Sequence, residues 1–263
     1  LHPRVRRQRQ MCIRDRCKAT LKVADGQEIT LHEQTNYPFE EKISFTVNTT
    51  EDVRFPFYLR IPSWCDQPEL AINGKQKEID PIPGKYIYID RTWTDGDKVE
   101  LNLPMKLSIR TWQVNKNSVS VNYGPLTLSL KINEEYIQKD SRSTAIYDSR
   151  WQEGADATQW PSYEIFPKSP WNYALVLDSK VPLKNFKVIR KEWPSDNFPF
   201  TVSNVPLEVK AIGKQIPSWT LDKYGLCSEL PETNAPKGDR EEITLIPMGA
   251  ARLRVSAFPN TYE

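Results

Sequence analysis

Apolar and polar residues alternate with a period of two along most of the chain, in stretches that are short. Clear cases are "KISFTVN" at 42–48, "VRFPFYLRI" at 53–61 and "SVSVNYG" at 118–124. Such alternation predicts strands that cover a core with one face and meet solvent with the other. Turn pairs such as Asp25-Gly26 and Asn73-Gly74 lie between the strands and favour tight hairpins. The pattern therefore predicts an all-β protein built from antiparallel sandwiches.

The predicted strands fall into two groups, which indicates two antiparallel β-sandwich domains. We place the middle sandwich at 17–107 and the C-terminal sandwich at 108–263, with the seam near Met105 to Thr111. The stretch from 133 to 172 is less regular and is predicted to be a long packed excursion with one short helix. The other predicted strands are "TLKVA", "EITLHEQT", "KYIYIDRTW", "KVELNL", "KLSIRTW", "LTLSLKI", "NYALVLD", "LEVKAIG", "EEITLIPM" and "ARLRVSAF".

The apolar alternates of three strands define the predicted core of the first sandwich. They come from "FYLRI", "YIYI" and "VELNL", and each should be largely buried if the strands face a common core. The predicted core residues are Leu59, Ile61, Ile87, Ile89, Val99 and Leu101.

The N-terminal arginine run changes the interpretation of the charge. Codons for Arg6 through Arg16 can be read, without a gap, as the transposase-end adapter of short-read sequencing libraries. We therefore expect residues 1–16 to be a translated adapter, disordered and unrelated to the fold. Removing its six arginines and one aspartate from the 36 basic and 34 acidic residues leaves 30 and 33, a net charge of −3. No other basic patch is present, so nucleic-acid binding is not expected.

Composition narrows the class of protein further. Twenty-one prolines, ten glycines, eight tryptophans and eleven tyrosines do not suit a helical bundle. No apolar run reaches the ~18 residues of a membrane helix, so no membrane span is expected.

The cysteines and histidines offer little for catalysis or metal binding. Outside the adapter the cysteines are Cys17, Cys65 and Cys227, an odd number with wide spacing and no CxxC pair. We predict separate thiols. His32 lies at a polar alternate of "EITLHEQT" and is predicted to face solvent. A Ser–His–Asp triad or a histidine-rich zinc site has too few histidines to draw on.

Two further motifs have structural explanations. Asp95-Gly96-Asp97 could be taken for a calcium loop or paired catalytic carboxylates, but the remaining ligand positions of an EF-hand are missing. Between two alternating strands we predict a turn. Asn48-Thr49-Thr50 is a formal glycosylation sequon, to which we assign no role.

The aromatic residues leave a second class of function open. Exposed tryptophan and tyrosine rings stack on sugars, so a carbohydrate-binding sandwich is the alternative, whereas buried tryptophans would indicate a scaffold. For each tryptophan a place in a core or interface is the first expectation. The tryptophans are Trp64, Trp93, Trp112, Trp151, Trp160, Trp171, Trp193 and Trp219.

Several strings in order along the chain resemble one enzyme family. They are "QTNYPFEEKISFTV", "FPFYLRIPSWC", "AINGK", "YIYIDRTWTDGDKVELNLPM", "VNYGPLTLSL" and the terminal "ITLIPMGAARLRVSAFP". Together they are similar to the segment that follows the catalytic barrel in glycoside hydrolase family 127, the β-L-arabinofuranosidase group. The resemblance spans most of residues 19 to 259.

The resemblance implies an (α/α)6 barrel followed by two β-sandwich domains. In the family a zinc-bound cysteine thiolate is the nucleophile and a glutamate the acid/base, and these residues belong to the barrel. We therefore expect a non-catalytic fragment with no catalytic, cofactor or metal residues of its own, and zinc only in the missing barrel. Cys17 lacks the family's paired-cysteine motif and is rejected as nucleophile.

The same resemblance implies partners. They are the barrel of the same polypeptide, a plant-type glycan as the parent's substrate, and a second copy in a homodimer. The source is expected to be bacterial, with a periplasmic or secreted location favoured.

Overall fold

The computed structural model describes residues 16–144, 152–156, 158–223 and 225–263, whose regular secondary structure consists almost entirely of β-strands. The all-β prediction is confirmed. The chain divides into two compact units: the first runs to Lys106 and includes Tyr123–Leu126, and the second comprises Leu107–Asn122 and Thr127–Glu263. The adapter-like residues lie outside the described part except for Arg16, whose backbone pairs with that of Gln34.

The first unit contains two sheets. The larger has six strands in the order β1-β2-β3-β8-β5-β6, and the smaller pairs β4 with β7. The neighbours within each sheet are antiparallel, as predicted. The strands are β1 (Arg16–Lys22), β2 (Glu28–Thr35), β3 (Lys42–Thr49), β4 (Val53–Arg60), β5 (Glu69–Ile72), β6 (Lys75–Lys77), β7 (Tyr86–Trp93) and β8 (Lys98–Asn102).

The core of the first unit lies between these two sheets. Four of the predicted core residues, Leu59, Ile61, Val99 and Leu101, are 5% exposed or less. The prediction was wrong in degree for Ile87 and Ile89, which pack against the core but are only half-buried. The fully buried residue of their strand β7 is Trp93 instead.

The second unit is built on one eight-stranded sheet and a separate two-stranded ladder. The sheet order is β18-β14-β16-β17-β11-β10-β9, with β15 beside β16, and the ladder pairs β12 with β13. The strands are β9 (Leu107–Trp112), β10 (Ser118–Tyr123), β11 (Leu126–Leu130), β12 (Glu134–Lys139), β13 (Ser162–Pro167), β14 (Tyr173–Leu177), β15 (Lys187–Arg190), β16 (Leu207–Gln215), β17 (Arg240–Pro247) and β18 (Asn260–Tyr262).

One pairing in this unit departs from the antiparallel prediction. Strand β18 runs parallel to β14, with Leu175 opposite Asn260. All five residues of β14 are buried. Apolar residues such as Leu175, Leu245 and Phe258, each 0% exposed, form the core of the unit.

Two segments differ from their predicted form. The irregular stretch after residue 133 contains the predicted short helix, α1 (Ser141–Thr144), but also β12 and β13, which were not predicted. The predicted strand "ARLRVSAF" is instead irregular apart from an isolated bridge between Phe258 and Val119. Its backbone forms hydrogen bonds to the sheet only at intervals. The Val255 carbonyl, for example, accepts from Leu130 N and from the hydroxyl of Ser129.

Candidate functional site

The most distinctive surface of the first unit is the outward face of the β4–β7 ladder, which we call the tyrosine face. Along both strands inner and outer positions alternate strictly, because successive side chains of a strand point to opposite sides. The register places Tyr58 opposite Tyr88 and Arg60 opposite Tyr86. The outward residues are Arg54, Pro56, Tyr58 and Arg60 on β4 and Tyr86, Tyr88, Asp90 and Thr92 on β7.

Three tyrosine rings lie in the open on this face. Tyr58 and Tyr88 are each 56% exposed and Tyr86 is 64% exposed. The rings of Tyr58 and Tyr88 lie 5.1 Å apart between centroids and are tilted by 54°. Pro56 is tolerated in β4 because the strand pairs on one side only.

An ion pair borders the rings. Arg54 donates to both carboxylate oxygens of Asp90, from Nε at 3.2 Å and from Nη2 at 2.9 Å. The hydrogen bonds from Arg54 hold the pKa of Asp90 below its ordinary value, and the same contacts raise the pKa of Arg54. Desolvation, with the nearby Asp90 charge, raises the pKa of Tyr88. The face thus combines neutral rings with a fixed pair of opposite charges.

The second unit has an aromatic pair of its own. Tyr136 on β12 and Tyr163 on β13 are about half exposed, and their rings meet edge to face at 6.1 Å. The Tyr136 hydroxyl donates to Glu134 at 2.6 Å. Near this ladder a groove of about 600 Å³ is lined mainly by apolar side chains, among them Phe166 and Trp171.

The Asp95-Gly96-Asp97 motif forms a turn, as predicted. Asp95 accepts from the side chain of Asn48 at 3.0 Å and from the backbone of Thr49 at 3.2 Å. Hydrogen bonds, first that from Asn48, lower the pKa of Asp95. Gly96 has a φ of 81°, which favours glycine. The sequon residue Asn48 is therefore engaged in holding this turn.

Asp97 is the buried member of the motif, 4% exposed. It accepts from Asn73 Nδ2 at 2.6 Å and from the backbone of Thr94 at 2.9 Å, and Arg91 lies 3.3 Å away. Burial pushes the pKa of Asp97 upward, but these hydrogen bonds and the Arg91 charge outweigh it and leave the pKa below its ordinary value. Asp97 is a structural carboxylate rather than a free acid or base.

We expect Asp97→Asn to destabilise the first unit at neutral pH by about 1 to 3 kcal/mol, because a charged acceptor of buried donors is lost. The folded pKa is depressed, so the wild-type contribution is fully present above about pH 4 and disappears as pH falls through the folded value. Urea midpoints measured for both proteins between neutral and acid pH should therefore converge in acid. Parallel curves would contradict this role for Asp97.

The other predicted site candidates lie apart and are individually explained. Cys65 is fully buried, and desolvation raises the pKa of its thiol, while Cys17 is half-buried and Cys227 exposed, all as free thiols. His32 is exposed on β2, as predicted. Within the described ranges no group of three or more His, Cys, Asp or Glu side chains is placed to hold a metal ion.

The tryptophans divide between core and surface. Trp93 and Trp219 are buried, with 0% and 3% exposure, and Trp160 is 69% exposed. Trp151 lies outside the described residues. In the part of the chain that the structure describes, no helix is long and apolar enough to cross a bilayer. The half-buried tryptophans are Trp64, Trp112, Trp171 and Trp193.

Sequence reasoning singled out tryptophans and left Tyr58, Tyr86 and Tyr88 without individual roles. The signal that identifies them is positional. In "YIYI" the isoleucines occupy the core positions, so the tyrosines at the intervening positions must face outward. The pairing of β4 with β7, which completes the tyrosine face, is known only from the structure.

Comparison with solved structures shows that the fold of this chain is similar to that of a part of several glycoside hydrolases. A GH127 β-L-arabinofuranosidase from Geobacillus stearothermophilus T6 matches with a TM-score of 0.56 and 20% identity over 93% of this chain and 32% of that one. A further GH127 β-arabinofuranosidase matches with a TM-score of 0.57 and 20% identity over 94% and 34%. A third structure, described as a glycoside hydrolase, has a TM-score of 0.56 and 18% identity over 93% and 34%. At these identities the likeness establishes the fold.

A match to a protein-family model concerns the first part of the chain. Residues 15–105 match the middle domain of GH127 β-L-arabinofuranosidase. The resemblance indicated by the sequence motifs is thereby confirmed, and the match coincides with the first unit. The chain spans about a third of the length of the solved structures that it matches. No curated protein matches the chain.

Proposed function

We propose that the chain is the non-catalytic β-sandwich part of a β-L-arabinofuranosidase-like glycoside hydrolase. Its role is to support an (α/α)6 catalytic barrel of the same polypeptide and to shape one rim of the substrate cleft. The observation that carries the proposal is the match of residues 15–105 to the GH127 middle domain. The other partners are a plant-type glycan, as substrate of the whole enzyme, and a second copy of the chain.

The environments of two buried carboxylates, Asp97 and Glu208, favour a structural role for the chain over a catalytic one. Glycoside hydrolysis with retention needs a nucleophile and an acid/base group on either side of the bond to be broken. Asp97 is committed to a turn. Glu208 is only 7% exposed and lies between Lys131 at 2.7 Å and Lys191 at 2.6 Å. Burial raises the pKa of Glu208, but hydrogen bonds from both lysines outweigh it and keep the carboxylate charged. A carboxylate held in this way is a poor general acid.

We expect the purified 263-residue chain to release no p-nitrophenol from p-nitrophenyl β-L-arabinofuranoside, with or without added zinc. The reason is that none of the groups described above forms an acid–nucleophile pair around a pocket. The assay compares the chain with buffer alone and with Cys17→Ala. Turnover well above buffer that disappears in Cys17→Ala would show that the chain carries its own nucleophile and would overturn the proposal.

A further inference from the structure

We propose that the tyrosine face binds a linear oligosaccharide, whose sugar rings stack on Tyr58, Tyr86 and Tyr88. This is a binding site in the first unit, separate from any hydrolytic chemistry. It rests on the proposed function only in the choice of arabinan oligosaccharide as one of the probes. The site is built entirely by the outward positions of β4 and β7.

The arrangement of the rings suits stacking. The cross-strand pair Tyr58 and Tyr88, with centroids 5.1 Å apart and ring planes tilted by 54°, offers two ring faces at an angle to each other. Tyr86 lies on the same face two residues before Tyr88, about 7 Å along the strand. One side of a sugar ring presents C–H groups, and the electron-rich face of an aromatic ring attracts them. The strip therefore accommodates successive sugar units along β7.

The rim of the face supplies the hydrogen bonds that sugar hydroxyls require. The Arg54–Asp90 pair is fixed by two hydrogen bonds, which leaves three of the five guanidinium donors and further carboxylate lone pairs for a ligand. Arg60 lies opposite Tyr86 at the other end of the strip. Because donors and acceptors are already held in place, a ligand loses little side-chain freedom on binding.

The opposite outer surface of the same unit is polar, and it carries a hollow of about 410 Å³ lined by residues such as Lys42, Ser44 and Glu100. On the six-stranded sheet Lys42 pairs with Glu100, and Asn102 donates to Glu69 at 3.1 Å. Such polar pairs are ordinary for a strand face in water. The tyrosine face instead concentrates aromatic rings, and exposed apolar surface of that kind marks binding sites.

The size and chemistry of the strip favour a sugar over a protein partner. Three tyrosines at these exposures present roughly 400 Å² of surface. A stable protein interface buries about 800 Å² on each side, so a protein partner would have to cover the charged residues around the rings as well. The charged residues at both ends also interrupt the apolar surface, which matches the alternation of C–H faces and hydroxyls in an oligosaccharide.

The test uses the full chain and three probes: arabinohexaose from α-1,5-arabinan, xylohexaose and cellohexaose. Isothermal titration of wild type should detect binding of at least one probe. Tyr58→Ala and Tyr88→Ala should each weaken it by about tenfold or more, because stacking rings carry much of such binding energy. Tyr88→Trp should retain it. Thermal unfolding by circular dichroism verifies that each variant is folded. If an alanine variant does not fold, Tyr88→Trp still tests whether an aromatic ring at this position supports binding.

Tyr136→Ala and Tyr163→Ala are the matched controls, since this second tyrosine pair is similarly exposed on a two-stranded ladder. Both should bind like wild type. Absence of binding to all three probes overturns the inference, as does an equal loss in the controls. A change of sedimentation coefficient in Tyr58→Ala without any glycan binding would assign the face to self-association and also overturns it. Turnover in the hydrolysis assay bears on the proposed function alone, so the two can fail separately.

Discussion

Replacing Trp93 by alanine is expected to lower the free energy of unfolding of the first unit by about 3 to 5 kcal/mol. Trp93 is 0% exposed and packs against Phe55 at 5.6 Å and Phe57 at 5.9 Å between ring centroids. Its indole N–H donates to the Phe55 carbonyl at 2.9 Å. The substitution therefore removes a large buried side chain, opens a cavity and leaves a buried carbonyl without this donor.

The measurement is hydrogen exchange by mass spectrometry in increasing urea, because peptides from β4 and β7 report on the first unit separately from the second. Trp93→Phe keeps a ring in the core and should lose clearly less than Trp93→Ala. Trp160→Ala, at a position 69% exposed, should stay within about 0.5 kcal/mol of wild type. A Trp93→Ala protein with wild-type protection would show that the two sheets do not share this core.

Phe258→Ala should have a comparable effect on the second unit, about 3 to 5 kcal/mol. Phe258 is 0% exposed and belongs to the core of the large sheet. Its backbone exchanges two hydrogen bonds with Val119, from Val119 N at 2.8 Å and to Val119 O at 2.9 Å. Loss of the ring removes a buried apolar contact of the irregular segment 251–258, which is otherwise attached to the sheet by isolated hydrogen bonds.

The control is Phe198→Ala, which deletes the same side chain where it is 48% exposed and should cost less than about 1 kcal/mol. Exchange of peptides from β10 and β11 follows the second unit. If both phenylalanine variants lose the same small amount, the segment around Phe258 contributes little to the core and its place in the fold is wrong.

Sequence periodicity predicted the strands well where a strand has one solvent-exposed face and one buried face. The predicted strand "EITLHEQT" coincides with β2 because Ile29 is buried while His32 faces solvent. The same alternation in "ARLRVSAF" gave a strand that does not exist. There the serine hydroxyls of Ser120 and Ser129 donate to the carbonyls of Ser256 and Val255, so no continuous ladder forms. Such long-range side-chain bonds leave no local trace in the sequence.

The candidate site was only partly predictable for a related reason. A place in a core or interface was the first expectation for each tryptophan, and Trp93 and Trp219 do turn inward, where their N–H groups donate to the carbonyls of Phe55 and Ser228. Whether a buried acceptor exists depends on tertiary pairing. The outward direction of the tyrosines follows from strand alternation, but their assembly into one surface depends on the β4–β7 register.

The short parallel strand β18 covers one edge of β14. Strand β14 is buried along its whole length, and such an apolar strand with open N–H and C=O groups is a template for pairing with other molecules. β18 occupies that position with only three residues, too few to recruit another strand readily. Glu263, the residue after β18, helps to hold the strand in position. Its backbone carbonyl accepts from Ser179 N at 2.9 Å, and its side chain forms ion pairs with Lys214 and Arg240. Replacing β18 by a sequence that cannot pair would therefore expose the edge of β14 to other molecules.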